Sequence, residues 1–135
     1  MHITTKSLLA VRTLLICAGH PDRQFRKHEI AGLLDASENH LAQVVHQLGR
    51  KGFLTTLRGR SGGFRLARAP GLISVGEVLR QFEQGTPLVD GFKGPLAGLF
   101  AAAEEAFYHQ MDSVTLADLT ANLGTPPEAM RLAAE

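Results

Sequence analysis

Ser37, Glu38, Asn39, His40 and Gln43 crowd into one short stretch that offers a hydroxyl, a carboxylate, two amides and an imidazole. These groups match the edges of DNA bases. An Asn or Gln amide pairs bidentately with adenine, and a Glu carboxylate accepts from the amino group of cytosine. His40 suits a base or phosphate contact and equally suits plain exposure. A cationic cluster follows. Arg50, Lys51, Arg58, Arg60, Arg65 and Arg68 fall within 19 residues that hold no acid and are punctuated by Gly52, Gly59, Gly62 and Gly63. Arginines at a loop tip are drawn to the negative potential of a minor groove. That role falls to Arg58 and Arg60, with Ser61 and Gly62 completing the loop. Lys6, Arg50 and Lys51 suit phosphate contacts, which set affinity and register rather than sequence.

Such side chains act only if folded elements hold them. Leu8, Val11, Leu14, Leu15 and Ala18 recur at helical spacing, which predicts a first helix over 5–18, ended by Gly19-His20-Pro21. A second short helix is expected over about 27–34, with Ile30, Ala31, Leu33 and Leu34 inward, and Asp35-Ala36 as a turn. Ser37 then reads as an N-cap, and Glu38 suits the positive end of the helix it opens. Leu41, Val44, Val45 and Leu48 form an apolar stripe there, leaving Asn39, His40, Gln43 and Gln47 on the opposite face. Gly52 closes this helix. Phe53, Thr55 and Leu57 are expected on one face of a strand, with Leu54 and Thr56 on the other. Phe64 and Leu66 flank Arg65 in a second strand, and the glycines between permit a tight hairpin. The order helix, helix, turn, helix, hairpin is a winged helix-turn-helix, so the fold class is mainly α with a small β-hairpin. Recognition helices of this type enter the major groove with their N-terminal residues nearest the bases.

The rest of the chain has a different character. Ser74-x-x-Glu77 is a capping-box pattern before apolar positions, and Thr115-x-x-Asp118 opens a last short helix. The stretch from Gly85 to Gly94 reads as a loop. A long helix is expected over about 95–112, with Leu96, Leu99, Phe100, Ala103, Phe107 and Met111 along one face. Leu116, Leu119 and Leu123 mark a short last helix. The reading divides the chain into a winged helix-turn-helix over 1–70, linker and dimerisation helices over 71–123, and a loosely ordered tail over 124–135.

Charge divides at the same place. Residues 1–76 hold 11 Lys and Arg against 4 Asp and Glu, whereas 77–135 hold 3 against 9. A basic half that meets a polyanion fits this split, and so does chance surface charge. No apolar run approaches the ~20 residues of a membrane span, and the start lacks a signal-peptide pattern. Cys17 is the single cysteine, which excludes an internal disulfide and fits a reducing cytoplasm. Catalytic patterns are missing. The glycine-rich turn lacks the Gly-Lys-Ser/Thr of a phosphate loop. Glu104 and Glu105 point about 100° apart on a helix and form no acid/base pair. The six histidines lack ligand spacing, so no metal site is expected.

The motifs resemble the IscR/NsrR family of bacterial transcription regulators. "TTKSLLAVRTLL", Thr4 to Leu15, is similar to the family's start, and "IAGLLDASENHLAQVVHQLGRKGFL", Ile30 to Leu54, to its second and third helices. "LRGRSGGFRLAR", Leu57 to Arg68, matches its R-G-x-x-G-G-aromatic-x-L wing. "ISVGEVLRQFE" and "TLADL" match the stretch after the wing and the closing motif. The resemblance covers about residues 3–123, and "SENHL" looks most like the nitric-oxide-sensing branch. It implies a homodimeric repressor or activator, with repressor the expectation, joined through the helix of about 95–112. Two recognition helices then read a near-palindromic operator in double-stranded DNA. It implies Arg58 and the start of the recognition helix as DNA contacts.

The chain departs from this family at one point. Many members hold an iron–sulfur cluster on three cysteines between the post-wing helix and the long helix. Here that stretch reads "QGTPLVDGFKGPLAGLF" and has no cysteine, and the N-terminal region has Leu8 or Leu9 where an acid can complete the cluster. Clusters of this kind need thiolates. No cofactor is expected, and Cys17, mid-helix and apolar, reads as a buried inert residue. An unknown small-molecule or protein effector stays open. So do two other functions: a winged-helix adaptor that docks partners on its acidic half, and a redox or cluster sensor with atypical ligands.

Overall fold

A computed structural model describes residues 3–60, 62–83 and 93–122. Three helices open the chain: α1 (Thr5–Gly19), α2 (Lys27–Leu34) and α3 (Glu38–Arg50). An antiparallel hairpin follows, β1 (Leu54–Leu57) and β2 (Gly63–Leu66), with Leu54 opposite Leu66 and Leu57 opposite Gly63. A 3-10 turn at Pro70–Leu72 leads into α4 (Val75–Glu83), and then come α5 (Pro95–Asp112) and α6 (Leu116–Asn122). This is the expected mainly α fold with a small hairpin. The loop read over Gly85 to Gly94, Leu123 and the tail over 124–135 fall largely or wholly outside the described residues.

Local chemistry fixes the helix ends. Thr4 caps α1 by accepting from the Ser7 N–H at 3.2 Å, and Ser37 caps α3 by accepting from the His40 N–H at 3.0 Å. Asp35 ends α2 at φ 51 and ψ 46, a left-handed conformation that Asp tolerates better than most residues. That one residue turns the chain from α2 into α3. Thr115 and Asp118 complete a reciprocal capping box at 2.9 and 3.0 Å. Ser74 makes only half of its own: it accepts from the Glu77 N–H at 3.0 Å, while the Glu77 carboxylate turns to Arg68.

Among the described residues, two hydrophobic clusters hold the fold together. The larger joins α1, α2, α3 and the base of the hairpin around Leu14, Ile16, Phe25, Ile30, Leu41, Leu48 and Phe53. The smaller centres on Val75, Leu79 and Tyr108, between α4 and α5. Three expectations about facing change. Leu8 and Leu33 are exposed, because the buried sides of their helices run through Leu9, Ala10, Thr13 and Leu14, and through Ile30, Ala31 and Leu34. Alternation along Phe53 to Leu57 also fails. Phe53 and Leu54 are both buried at the hairpin's base, while Thr55, Thr56 and Leu57 are exposed as the ribbon leaves the core. The pattern Phe64 in, Arg65 out, Leu66 in holds.

One polar tie locks the second half onto the first, and another joins α4 to α5 within the second half. Glu83 is buried, and its Oε1 accepts from the Thr4 N–H at 2.8 Å, the Thr4 hydroxyl at 2.9 Å and the Ser7 hydroxyl at 2.6 Å. The carboxylate thus sits at the positive end of α1. Arg80 on α4 reaches α5, donating to Asp112 at 2.9 Å and Glu105 at 3.0 Å while its guanidinium lies 4.8 Å from the Tyr108 ring centroid. Gly76 makes this approach feasible, since a Cβ there would stand 2.6 Å from the Asp112 backbone nitrogen.

Candidate nucleic-acid interface

The recognition helix is set by its inner face. Leu41, Val44, Val45 and Leu48 are buried against the core, so the opposite face must look outward. Glu38, Asn39 and Gln43 are exposed there, and His40 is half-buried. Ser37 is exposed, with its hydroxyl engaged in the helix cap. Arg50 is exposed at the other end of α3. Backbone N–H groups in the first turn, amides and a carboxylate therefore share one accessible end of the helix.

The wing is held from below. Phe25, just before α2, exchanges two backbone hydrogen bonds with Phe64 of β2, each 2.8 Å. This antiparallel bridge extends the hairpin by one residue and seats both rings in the core. Close contact demands glycine at Gly63, where φ is 150 and a Cβ would come within 2.5 Å of the Phe25 carbonyl oxygen. Gly62 faces a similar obstacle at the Leu57 carbonyl and is buried in the turn. The Arg26 guanidinium donates to the Arg60 carbonyl, tying the N-cap of α2 to the wing tip. Arg58 and Arg60 stand exposed on this braced turn. Among the described residues neither has a carboxylate within ion-pair distance. Ser61 lies outside the described residues.

The structure brings some of the expected residues together and separates others. Glu38, Arg58 and Gly62 line one cleft between α3 and the wing. Lys6 lies elsewhere, its ammonium 5.9 Å from the Phe82 ring centroid. Lys51 donates to the Gln81 amide oxygen of α4 at 3.3 Å. Sequence reasoning missed Arg26, Lys27, His28 and His46, which line the same cleft. Arg26, Lys27 and His28 stand in the run "FRKHE", whose place against the wing only the fold reveals, and His46 lies on α3.

Cys17 is fully buried in the larger core, and burial pushes its thiol up to about 12. Among the described residues no group of three His, Cys, Asp or Glu side chains could hold a metal ion. Nor is any described helix long and apolar enough to cross a membrane.

The arrangement agrees with known proteins. The family model described as Rrf2, iron-dependent transcriptional regulator, matches residues 3–122. The HTH-type transcriptional regulator NsrR of Geobacillus kaustophilus is 38% identical over 132 residues, covering 88% of this chain and 89% of that protein. NsrR of Bacillus subtilis is 33% identical, covering 90% and 92%. Among solved structures, IscR of T. potens superposes with a TM-score of 0.78 at 26% identity, covering 90% of this chain and 88% of its own. CymR of B. subtilis, a global cysteine regulator, gives 0.75 at 25% identity, covering 90% and 98%. A match along almost the whole chain, with the helix-turn-helix and wing both in place, shows that this protein belongs to the Rrf2 family and is a DNA-binding transcriptional regulator, not an enzyme.

Proposed function

We propose that the protein is a cytoplasmic repressor that binds a near-palindromic operator as a homodimer and needs no iron–sulfur cluster. Exposed Glu38, Asn39 and Gln43 read bases in the major groove, Arg58 and Arg60 enter a minor groove, and Arg50 contributes a phosphate contact. The observation that carries the dimer is α5. Of its 18 residues only Tyr108 is buried, while Leu96 and Leu99 are 44% and 63% exposed. Phe107 and Met111 pack toward α4, so the exposed Leu96 and Leu99 are the side chains that call for a second surface. A two-fold pairing of α5 with its copy supplies that surface and places two recognition helices for a two-fold operator.

The residues present do not fit an iron–sulfur cluster. Thiolates hold such clusters, and the one cysteine of this chain is sealed in the core with its thiol strongly disfavoured from ionising.

Binding of genomic fragments at low salt, followed by footprinting, tests the reading. A two-fold footprint on a promoter, bound by protein that sediments as a dimer and carries no iron, is expected. Leu99→Glu should yield monomers with weakened operator binding. A wild-type protein that binds no fragment of its genome at low salt refutes the proposal.

A further inference from the structure

The gap between the recognition helix and the wing is a cleft of about 410 Å³. Its walls come from the start of α2, the outer edge of α3 and the wing turn, and its lining includes Arg26, Lys27, Arg58 and Glu38, with His28 and His46 beside them. Three fixed cations thus face one carboxylate. Lys27 and Arg58 have no carboxylate within ion-pair distance among the described residues. Arg26 spends one N–H on the Arg60 carbonyl and keeps further donors, because a guanidinium has five.

Position gives this lining its meaning. A major groove and the adjacent minor groove of a duplex are separated by one sugar–phosphate strand. When α3 occupies the first and the wing the second, that strand must run through the gap between them. We propose that this cleft is the seat of that strand, with Arg26, Lys27 and His28 binding its phosphodiester oxygens. The proposal rests on the DNA-binding reading and adds to it a third point of attachment, supplied by α2. Arg26 links the two attachments, because the side chain that lines the seat also fastens the wing turn. Seating the strand and holding Arg58 toward the minor groove are then one geometric event. Glu38 limits the seat on the α3 side, since a carboxylate at that edge repels phosphate and keeps the strand toward α2.

Salt-dependent binding to operator and to scrambled duplex of equal length tests this. Lys27 is exposed, so Lys27→Gln and Lys27→Glu should fold as wild type does by circular dichroism. Lys27→Gln should weaken both duplexes by the same factor, about three- to tenfold, and lower the slope of log K against log salt by about 1. Lys27→Glu should weaken both further, and Lys27→Arg should restore both affinity and slope. Wild-type slope and affinity in Lys27→Glu, with wild type itself binding operator, overturn the seat and leave the DNA-binding reading standing. Failure of wild type to bind either duplex removes that reading and the seat with it. Inorganic phosphate titrated alone is the second arm. Tight, Lys27-dependent phosphate binding with an unchanged DNA slope assigns the cleft to a free anion and overturns the proposal.

Discussion

The arginines of the wing and the arginine of the α4–α5 seam live in opposite surroundings. Arg80 donates to Asp112 and Glu105 and lies over Tyr108, so its charge is consumed inside the molecule. Hydrogen bonding by Asp112 and then Glu105 raises its pKa further, while Arg80 holds the Asp112 carboxyl below its ordinary value. Arg58 and Arg60 project from a turn braced by Phe25, Gly63 and Arg26, and among the described residues no carboxylate answers them. The described flanks of that turn are tied to Phe25 and Arg26, and the charge is left to water. A neutralised cation adds cohesion, whereas an unanswered one on a rigid support is available to a polyanion. The charge division between the two halves of the chain is therefore also a division of labour.

The largest expected effect is on DNA binding. Arg58→Ala should weaken operator binding about 10- to 100-fold, the size of a lost groove contact, while stability stays within about 0.5 kcal/mol. Paired titration and thermal melts check this. A fall in Tm that matches the fall in affinity makes Arg58 a structural residue and erases the contrast. Gly76→Ala attacks the other side. The new methyl meets Asp112, and overpacking of this kind costs about 1–3 kcal/mol in denaturant unfolding. Smaller again is Arg80→Ala, which should lower Tm and leave the salt slope of DNA binding unchanged. Its pH dependence has a definite sign. Asp112 is depressed below 3.8, so its contribution is complete above that value and is lost as pH falls through the lower folded one. Arg80→Ala should flatten that acid limb of the stability curve. An unchanged limb would mean that the seam's ion pairs add nothing.

How much of this was legible depends on range. Ser37 as a cap, the stripe Leu41 to Leu48 and the helix over 95–112 are local patterns, and the structure has them where the spacing put them. So are the glycines of the wing, although their reason proved more specific than turn-making: Gly63 makes room for the Phe25 carbonyl, which no local pattern reveals. Leu8 and Leu33 misled because an apolar residue beside an apolar stripe looks like part of it. Tertiary packing chose the facing. Long-range ties were silent in the sequence. Glu83 meets Thr4 and Ser7 across 79 and 76 positions, and Arg80 meets Asp112 across 32. Of the candidate site, the exposed end of α3 and the wing tip were readable. The contribution of α2 was not, because "FRKHE" gains significance only when the fold brings it against the wing.

The smallest effect concerns the core that supports both regions. Cys17 belongs to the larger cluster, not to the one around Val75, Leu79 and Tyr108, and is fully buried. Only the thiolate is nucleophilic, and burial raises this thiol from the ordinary 9.0 to about 12. Native protein at pH 8 should therefore resist iodoacetamide and react only once urea unfolds it. If the seam and the DNA-binding face are separate cohesive units, Gly76→Ala and Arg80→Ala should label as slowly as wild type under native conditions. Faster labelling in either variant means that loosening the seam opens the core beneath the recognition helix, and the two regions are then one. The pH sign offers an independent check. A folded pKa above the unfolded one contributes stability that is complete below 9.0 and is lost between 9.0 and about 12. The steepest slope one such group can give is about 1.4 kcal/mol per pH unit. Cys17→Ala should accordingly decline less steeply than wild type across the start of that window, and equal slopes would place the thiol in contact with solvent.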